Sequence, residues 1–204
     1  MAMKKETRAD EVVLYDYPIS YNCQIVRLVL CEKGVPGKTI RVDIGPMMEQ
    51  FTPNFMRLNP SGQVPVLLHQ NKVVTQTLEI LYYLDQQLPG TQLIPPAVEN
   101  RAAMEKWVAM ERAFPEADFT YGLVEQGTGK IVARDLERRK RLVEKYMVVN
   151  PDLADSYKLK LEAVADWQMR LRDPDLVDRL VDQIHKMLDE LEKQVAGRDY
   201  IVTD

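Results

Sequence analysis

Residues 59–85 read NPSGQVPVLLHQNKVVTQTLEILYYLD, and the spacing of apolar residues changes once along them. Val64 to His69 and Val73 to Thr75 are β-rich runs separated by the polar turn Gln70-Asn71-Lys72, which predicts a hairpin. From Gln76 to Gln87, Leu78, Leu81, Tyr82 and Leu84 return at helical spacing, so a helix follows. Toward the N-terminus, Val12 to Tyr17 forms a short strand and Ser20 to Lys33 a helix carrying Val26, Val29 and Leu30, with Gly34 as its stop. Thr39 to Ile44 alternates as a strand, and the proline-interrupted stretch from Pro46 to Asn59 predicts a short irregular helix. The order is βαβαββα. A doubly wound sheet needs repeated βα units, so this order fits one mixed four-stranded sheet with helices on both faces.

The segment Leu88 to Ala97, LPGTQLIPPA, concentrates turn residues and is followed by no convincing strand, which places a boundary there. The expected division is a tail over 1–10, an α/β domain over 11–88, a linker over 89–96 and a helical domain over 97–204. Asn150-Pro151 and Asp173-Pro174 mark two helix starts, each a capping side chain before a proline suited to the first helical position. From Leu176 to Val195 the apolar residues form one stripe, the pattern of a helix packed on a bundle.

Of 204 residues, 46% are hydrophobic and 28% charged, ordinary globular composition, and the net charge of −4 gives no general pull toward nucleic acid. No apolar run approaches the roughly 20 residues of a membrane-spanning helix, and the opening MAMKKETRAD lacks the apolar core of a secretory signal. A cytoplasmic protein is expected. Cys23 and Cys31, eight positions apart on one helix, are separated by about 12 Å and cannot bridge each other. His69 and His185 have no neighbours at metal-ligand spacing, so no metal site is expected. The basic run Arg134 to Tyr146 is interleaved with Asp135, Glu137 and Glu144 and reads as a solvated helix face. Gly127 to Lys130 lacks the upstream glycine and strand of a phosphate loop.

Residues 59–85 resemble the glutathione-transferase superfamily, whose pattern is Asn-Pro, a short spacer, Val-Pro, a hairpin, a Glu-Ser pair and a helix. LYDYPISYNCQIVRLVLCEKG, residues 14–34, resembles that superfamily's first strand and helix, including Val26-Arg27 and Glu32-Lys33-Gly34. FMRLNPSGQVPVLLH and the distant NPDLADSYKLK look most like the branch of ganglioside-induced differentiation-associated protein 1 and the tetrachlorohydroquinone-dehalogenase-like transferases. The resemblance implies a thioredoxin-like first domain and an all-helical second one, with a long insertion over 119–173. It implies glutathione as co-substrate, a small hydrophobic electrophile as the other, and a homodimer. It also implies further helices beyond Asp204, so the helical domain is expected either to be truncated or never to have had those later helices.

Chemistry supplies a reason for each site residue. Pro65 after Val64 suits a cis bond that fixes the direction of a turn's backbone groups, and those at Val64 suit pairing with the cysteinyl backbone of glutathione. Gln63 is placed to bind its glycine end. The helix start at Gln76 and Thr77 offers free N–H groups and a positive dipole end for the γ-glutamyl carboxylate. Ser20, at the start of the first helix, suits stabilisation of the glutathione thiolate.

Ser20 is equally readable as a simple N-cap; Tyr15, Tyr17, Tyr21 and Cys23 are rival catalytic candidates, with Cys23 the named alternative or else a small core residue like Cys31. Tyr17, Trp107 and Met110 are the expected contacts of the hydrophobic substrate, although Trp107 with Met104 and Met110 also reads as a packed helix face. Gln76 departs from the family's Glu. It lacks the carboxylate that pairs with the γ-glutamyl ammonium, and weaker glutathione binding is expected because charge-assisted bonds are about twice as strong as neutral ones.

Overall fold

A computed structural model describes residues 11–129 and 131–202. The expected tail over 1–10 and Lys130 lie outside them. Strand β1 (Val12–Asp16) is buried along its whole length, and β2 (Gly37–Arg41) pairs parallel to it. A 3-10 turn at Glu49–Phe51 and helix α2 (Pro53–Leu58) lead into the hairpin of β3 (Val66–His69) and β4 (Lys72–Val74). Both β3 pairings are antiparallel, giving the order β2-β1-β3-β4. Gln70 and Asn71 both have positive φ, 49° and 60°, so the turn twists with the strands as tight hairpins require.

Alternation along β1 distributes its side chains to two faces. Val12 and Leu14 join Val26 and Leu30 of α1 (Tyr21–Glu32) and Ile80 and Leu84 of α3 (Thr77–Gln87) in one core cluster. Val13 and Tyr15 join Phe55 of α2 and Val42 in another. This is the thioredoxin-like sheet with helices on both faces, and helical structure follows it.

Several boundaries differ from expectation for local reasons. Strand β2 begins at Gly37 and ends at Arg41, rather than running from Thr39 to Ile44, because its partner β1 ends at Asp16. Strand β3 begins at Val66, since Pro65 has no N–H to give a ladder. Cys31 is exposed, not core. Helix α1 buries Cys23, Val26 and Leu30, and a residue immediately after Leu30 is turned off that face.

By packing, the chain divides into two units. The first runs to Ile94 and takes in Arg141–Leu161; the second comprises Pro95–Lys140 and the chain from Glu162 onward. Residues 141–161 are thus not part of the helical unit to which a linear reading of 97–204 assigns them. Their attachment has a clear cause: Val143, Leu153 and Tyr157 share a core with Met48, Phe51 and Met56, and the buried Tyr157 O–H donates to the Phe51 carbonyl at 2.9 Å. The buried side chains of Lys33 and Asp85, with the Thr91 carbonyl and the Leu93 and Ile94 amides, form a network that anchors the segment after α3. Gly90 (φ 105°) passes so close that a Cβ there would lie 2.1 Å from the Lys33 carbonyl oxygen.

Helices α4 (Val98–Ala113), α5 (Glu116–Thr128), α6 (Ile131–Val149), α7 (Ala154–Arg170) and α8 (Leu176–Val195) supply the rest, α6 and α7 each running through both units. Asn150-Pro151 opens a 3-10 turn ahead of α7, and Asn150 gives no side-chain cap. Helix α8 starts at Leu176, later than Asp173-Pro174 suggests, because the Asp173 carboxylate accepts from the Asp175 N–H and holds a turn there. Of the stripe Leu176, Leu180, Ile184, Met187, Leu188, Leu191 and Val195 on α8, only Leu180 is buried and Leu188 is exposed; Val177, outside the stripe, is buried as well. Within the basic run, Arg139 is the buried exception: it pairs with Asp135 at 2.7 Å and with the Tyr121 hydroxyl, and it lies over the Trp167 ring. Among the described residues, no helix is long and apolar enough to cross a membrane.

Candidate functional site

Strand register decides which segments meet. Tyr15 of β1 stands opposite Val66 of β3, so the loop leaving β1, Tyr17 to Ser20, emerges at the same end of the sheet as the loop entering β3. Val74, the last residue of β4, stands opposite Leu67, which brings the start of α3 to that end as well. The N-termini of α1 and α3 and the Val64–Pro65 turn therefore gather at one sheet end. A direct bond ties the two helix starts: the buried Thr77 hydroxyl donates to Asn22 Oδ1 at 3.0 Å.

Ser20 is the N-cap of α1, with extended backbone, and its oxygen accepts from the Cys23 N–H at 3.4 Å. Cys23 is fully buried, and burial pushes its thiol pKa up against the opposing effects of Ser20 and the Tyr17 backbone. A nucleophilic thiol needs the reverse shift and access to solvent. Arg27 clamps the loop between β1 and Ser20: it pairs with the buried Asp16 carboxylate and donates to the Pro18 carbonyl at 2.8 Å. Tyr17 is half-buried, with the Arg41 guanidinium 5.6 Å from its ring centre.

The Val64–Pro65 bond is cis. Asn59, itself buried, organises the loop ahead of it by accepting from the Ser61 N–H and hydroxyl and donating to the Gln63 carbonyl at 2.7 Å. Gln63 is thereby left with its side chain exposed, Val64 half-buried and Pro65 buried. Gln76 stands exposed at the N-cap of α3 with extended backbone (φ −96°, ψ 132°), and its side chain makes no capping bond. The first intrahelical bond there runs from the Ile80 N–H to the Gln76 carbonyl, so the amides of the first turn point outward, where a helix dipole favours an anion.

Ser20, Gln63, Val64, Pro65, Gln76 and Thr77 thus all lie in the first unit, in the three segments that meet at this sheet end. Trp107 and Met110 belong to the second unit, half-buried on α4, a helix with no fully buried residue. Asn22, Arg27 and Asn59 carry bonds that residue types alone did not reveal. Only Asn59 had a local signal, its place in the Asn-Pro pair.

A thioredoxin-like domain that sets a cis-proline loop beside two helix N-termini defines a class of thiol-handling folds, and comparison with known proteins narrows it. The glutathione S-transferase N-terminal domain family matches residues 19–87. Glutathione S-transferase TCHQD of Arabidopsis thaliana is 31% identical over 189 residues, which are 92% of this chain and 69% of that protein. The tetrachloro-p-hydroquinone reductive dehalogenase of Sphingobium chlorophenolicum is 33% identical over 194 residues, 94% of this chain and 75% of the other. Among solved structures, the β-etherase LigF of Sphingobium sp. strain SYK-6 shares the fold, with a TM-score of 0.68 at 24% identity over 94% of this chain and 76% of its own. The chain belongs to the glutathione S-transferase family.

Proposed function

We propose that the chain is a glutathione-dependent transferase that activates the glutathione thiol for attack on a small hydrophobic electrophile. The observation that carries this reading is the convergence of the Ser20 cap, the cis Val64–Pro65 turn and the uncapped α3 N-terminus at one sheet end. In it the cysteinyl backbone pairs with Val64 beside Pro65, Gln63 contacts the glycine end, and the γ-glutamyl carboxylate sits at Gln76 and Thr77. Because Thr77 gives its hydroxyl proton to Asn22, that proton is not available to the carboxylate, and the anion is held by backbone N–H groups.

Ser20 is the residue assigned to the thiolate, and the buried Cys23 with its raised pKa is the poorer alternative. As acceptor in the capping bond, the Ser20 hydroxyl keeps a proton to give to sulfur. The thiolate then forms a carbon–sulfur bond while the leaving group, a halide in dehalogenation, departs with its electron pair. Going on to a reduced product requires a second thiol, which releases glutathione as a disulfide. Tyr17, Trp107 and Met110 are proposed as apolar contacts of the electrophile. Alanine at each is expected to raise KM for the electrophile and leave that for glutathione unchanged. A cytoplasmic homodimer is the proposed setting.

Calorimetric titration with reduced glutathione is the first test, followed by turnover of Ser20→Ala with halogenated electrophiles. Loss of one charge-assisted hydrogen bond to the thiolate lowers kcat by about 10- to 100-fold. Unchanged turnover in Ser20→Ala refutes the assigned role. A second reading, a weakly active interaction or sensing member, is favoured by the Gln76 substitution and gains the lead if wild-type protein gives no heat at high glutathione.

A further inference from the structure

Charge on α6 and α8 is sorted by face. Residues four, three and four apart stack along one side of a helix. Arg134, Arg138, Arg141 and Lys145 of α6 have that spacing, and all four are exposed. The opposite side of the same helix holds the buried Val132, Leu136, Arg139 and Val143, so the cationic stripe points outward. The acids that interrupt this run in sequence lie off the stripe: Asp135 pairs with Arg139, Glu137 accepts from Gln168 at 2.6 Å, and Glu144 is half-buried. Among the described residues, Arg134, Arg141 and Lys145 have no ion pair or hydrogen bond.

Helix α8 repeats the spacing with the opposite sign. Asp178, Asp182, His185 and Asp189 follow one another at intervals of four, three and four, Glu192 extends the row, and all five are exposed. Leu180, Ile184, Met187 and Leu191 occupy the other side, buried or half-buried. The cations nearest the acidic row are engaged or stand aside: Arg179 pairs with Asp173, Lys193 with Glu190, and Lys186 lies on the flank. Asp178, Asp182, Asp189 and Glu192 have neither an ion pair nor a hydrogen bond among the described residues, Asp189 exerting only a longer-range attraction on Lys193. Like charges four apart on a helix repel, so each stripe weakens its own helix until an opposite stripe faces it.

We propose that a second copy of this chain docks the acidic face of its α8, antiparallel, on the basic face of α6. From Arg134 to Lys145 and from Asp178 to Asp189 the two stripes have the same length, about 16 Å at 1.5 Å per residue. Antiparallel alignment sets Lys145 against Asp178, Arg141 against Asp182 and Arg134 against Asp189, so three cations without partners meet three such carboxylates, and Arg138 faces His185. Parallel alignment would set Arg141 against His185 instead of a carboxylate. Exposed ion pairs are individually weak, which makes the contact reversible and sensitive to salt. It is independent of the glutathione reading, because it uses only the outer faces of α6 and α8.

The test follows self-association of the full chain by sedimentation velocity. Raising NaCl from about 20 to about 500 mM is expected to weaken the wild-type association by at least about tenfold, since screening shortens the reach of exposed charges. Two charge-reversed chains are then made, one with Arg134→Glu, Arg141→Glu and Lys145→Glu, the other with Asp178→Lys, Asp182→Lys and Asp189→Lys. Each alone loses the salt-sensitive step, and an equal mixture regains it, because the acidic α6 of one chain meets the basic α8 of the other. Regain in the mixture also shows that both variants are folded. A wild-type mass that ignores salt and concentration, or a mixture that associates no better than its parts, overturns the proposal. So does a wild type that stays unassociated at low salt yet binds vesicles containing anionic lipid, which would assign the α6 face to a membrane surface. A wild-type readout fixes the register: carbodiimide coupling of mixed 14N and 15N chains should join Lys145 of one copy to Asp178 of another, and intermolecular coupling to Asp189 instead overturns the antiparallel alignment.

Discussion

Replacing Asp85 with Ala probes how the end of α3 is tied to α1. The Lys33 ammonium lies 3.4 Å from Asp85 Oδ1 and 2.9 Å from the Thr91 carbonyl, and the paired side chains are 1% and 4% exposed. Asp85 also accepts from the Leu93 and Ile94 N–H groups at 2.7 and 3.2 Å. Alanine leaves the ammonium with neutral acceptors only and strips both amides of their partner. Breaking a buried pair from one side costs about 3–5 kcal/mol. Two orphaned amides would add about 1–3 kcal/mol each if they stayed buried, but opening of the 88–94 segment returns them to water, so the loss should settle near 4 kcal/mol. Asp85→Asn keeps an acceptor and the shape, and should lose about half as much. The assay is urea unfolding of both variants, combined with amide exchange at Leu93 and Ile94. A loss under about 1 kcal/mol in Asp85→Ala, with those amides still protected, would refute the view that this network anchors the segment.

Thiol labelling of the native protein should modify Cys31 quickly and Cys23 only on unfolding, as their exposure and the raised Cys23 pKa require; two fast thiols would contradict the buried position of Cys23. Arg27→Met should cost about 1–3 kcal/mol and lower kcat/KM by loosening the loop to Ser20, which paired unfolding and kinetic measurements check. Gln76→Glu should tighten glutathione several-fold, read by calorimetry, because it supplies the carboxylate for the γ-glutamyl ammonium at an exposed position. Burial raises the Tyr157 pKa to about 12, so the folded state holds this proton more tightly than the unfolded one does. Its contribution to stability is therefore complete below about pH 10 and disappears as pH rises to about 12. Tyr157→Phe should be less stable at neutral pH and show a shallower alkaline loss in pH-dependent unfolding.

Legibility in the sequence followed the range of the interactions. The hairpin at Gln70-Asn71, the Ser20 cap and the Val64–Pro65 turn are set by neighbours within a few residues, and their residue types announce them. Strand ends were harder, because the extent of β2 is decided by its partner β1 and not by its own alternation. The exposure of Cys31 was missed for a related reason: an apolar residue inside a helix is buried only if its angle matches the stripe, and Cys23, Val26 and Leu30 define a stripe that leaves Cys31 out. The Thr77–Asn22 bond, the Lys33–Asp85 network and the Tyr157–Phe51 bond join positions distant in the chain, and no local pattern encodes such pairings.

The attachment of residues 141–161 bears on what must be present for the site to exist. The family match over 19–87 contains Ser20, the cis-proline turn and Thr77, which suggests that the site could stand on the first domain alone. Yet Met48, Phe51 and Met56 find their core partners in Val143, Leu153 and Tyr157, and Met56 also lies against the Gly62 turn. Cutting the chain after Ile94 would uncover those side chains, each worth about 1.5–3 kcal/mol of burial, and would remove the donor to the Phe51 carbonyl. The loop carrying Gln63 and Val64 would then lose the support on which its direction depends. Residues that a linear division assigns to the helical domain are therefore part of the scaffold of the first unit's site, and substitutions at Tyr157 should disturb glutathione binding without touching the ligand.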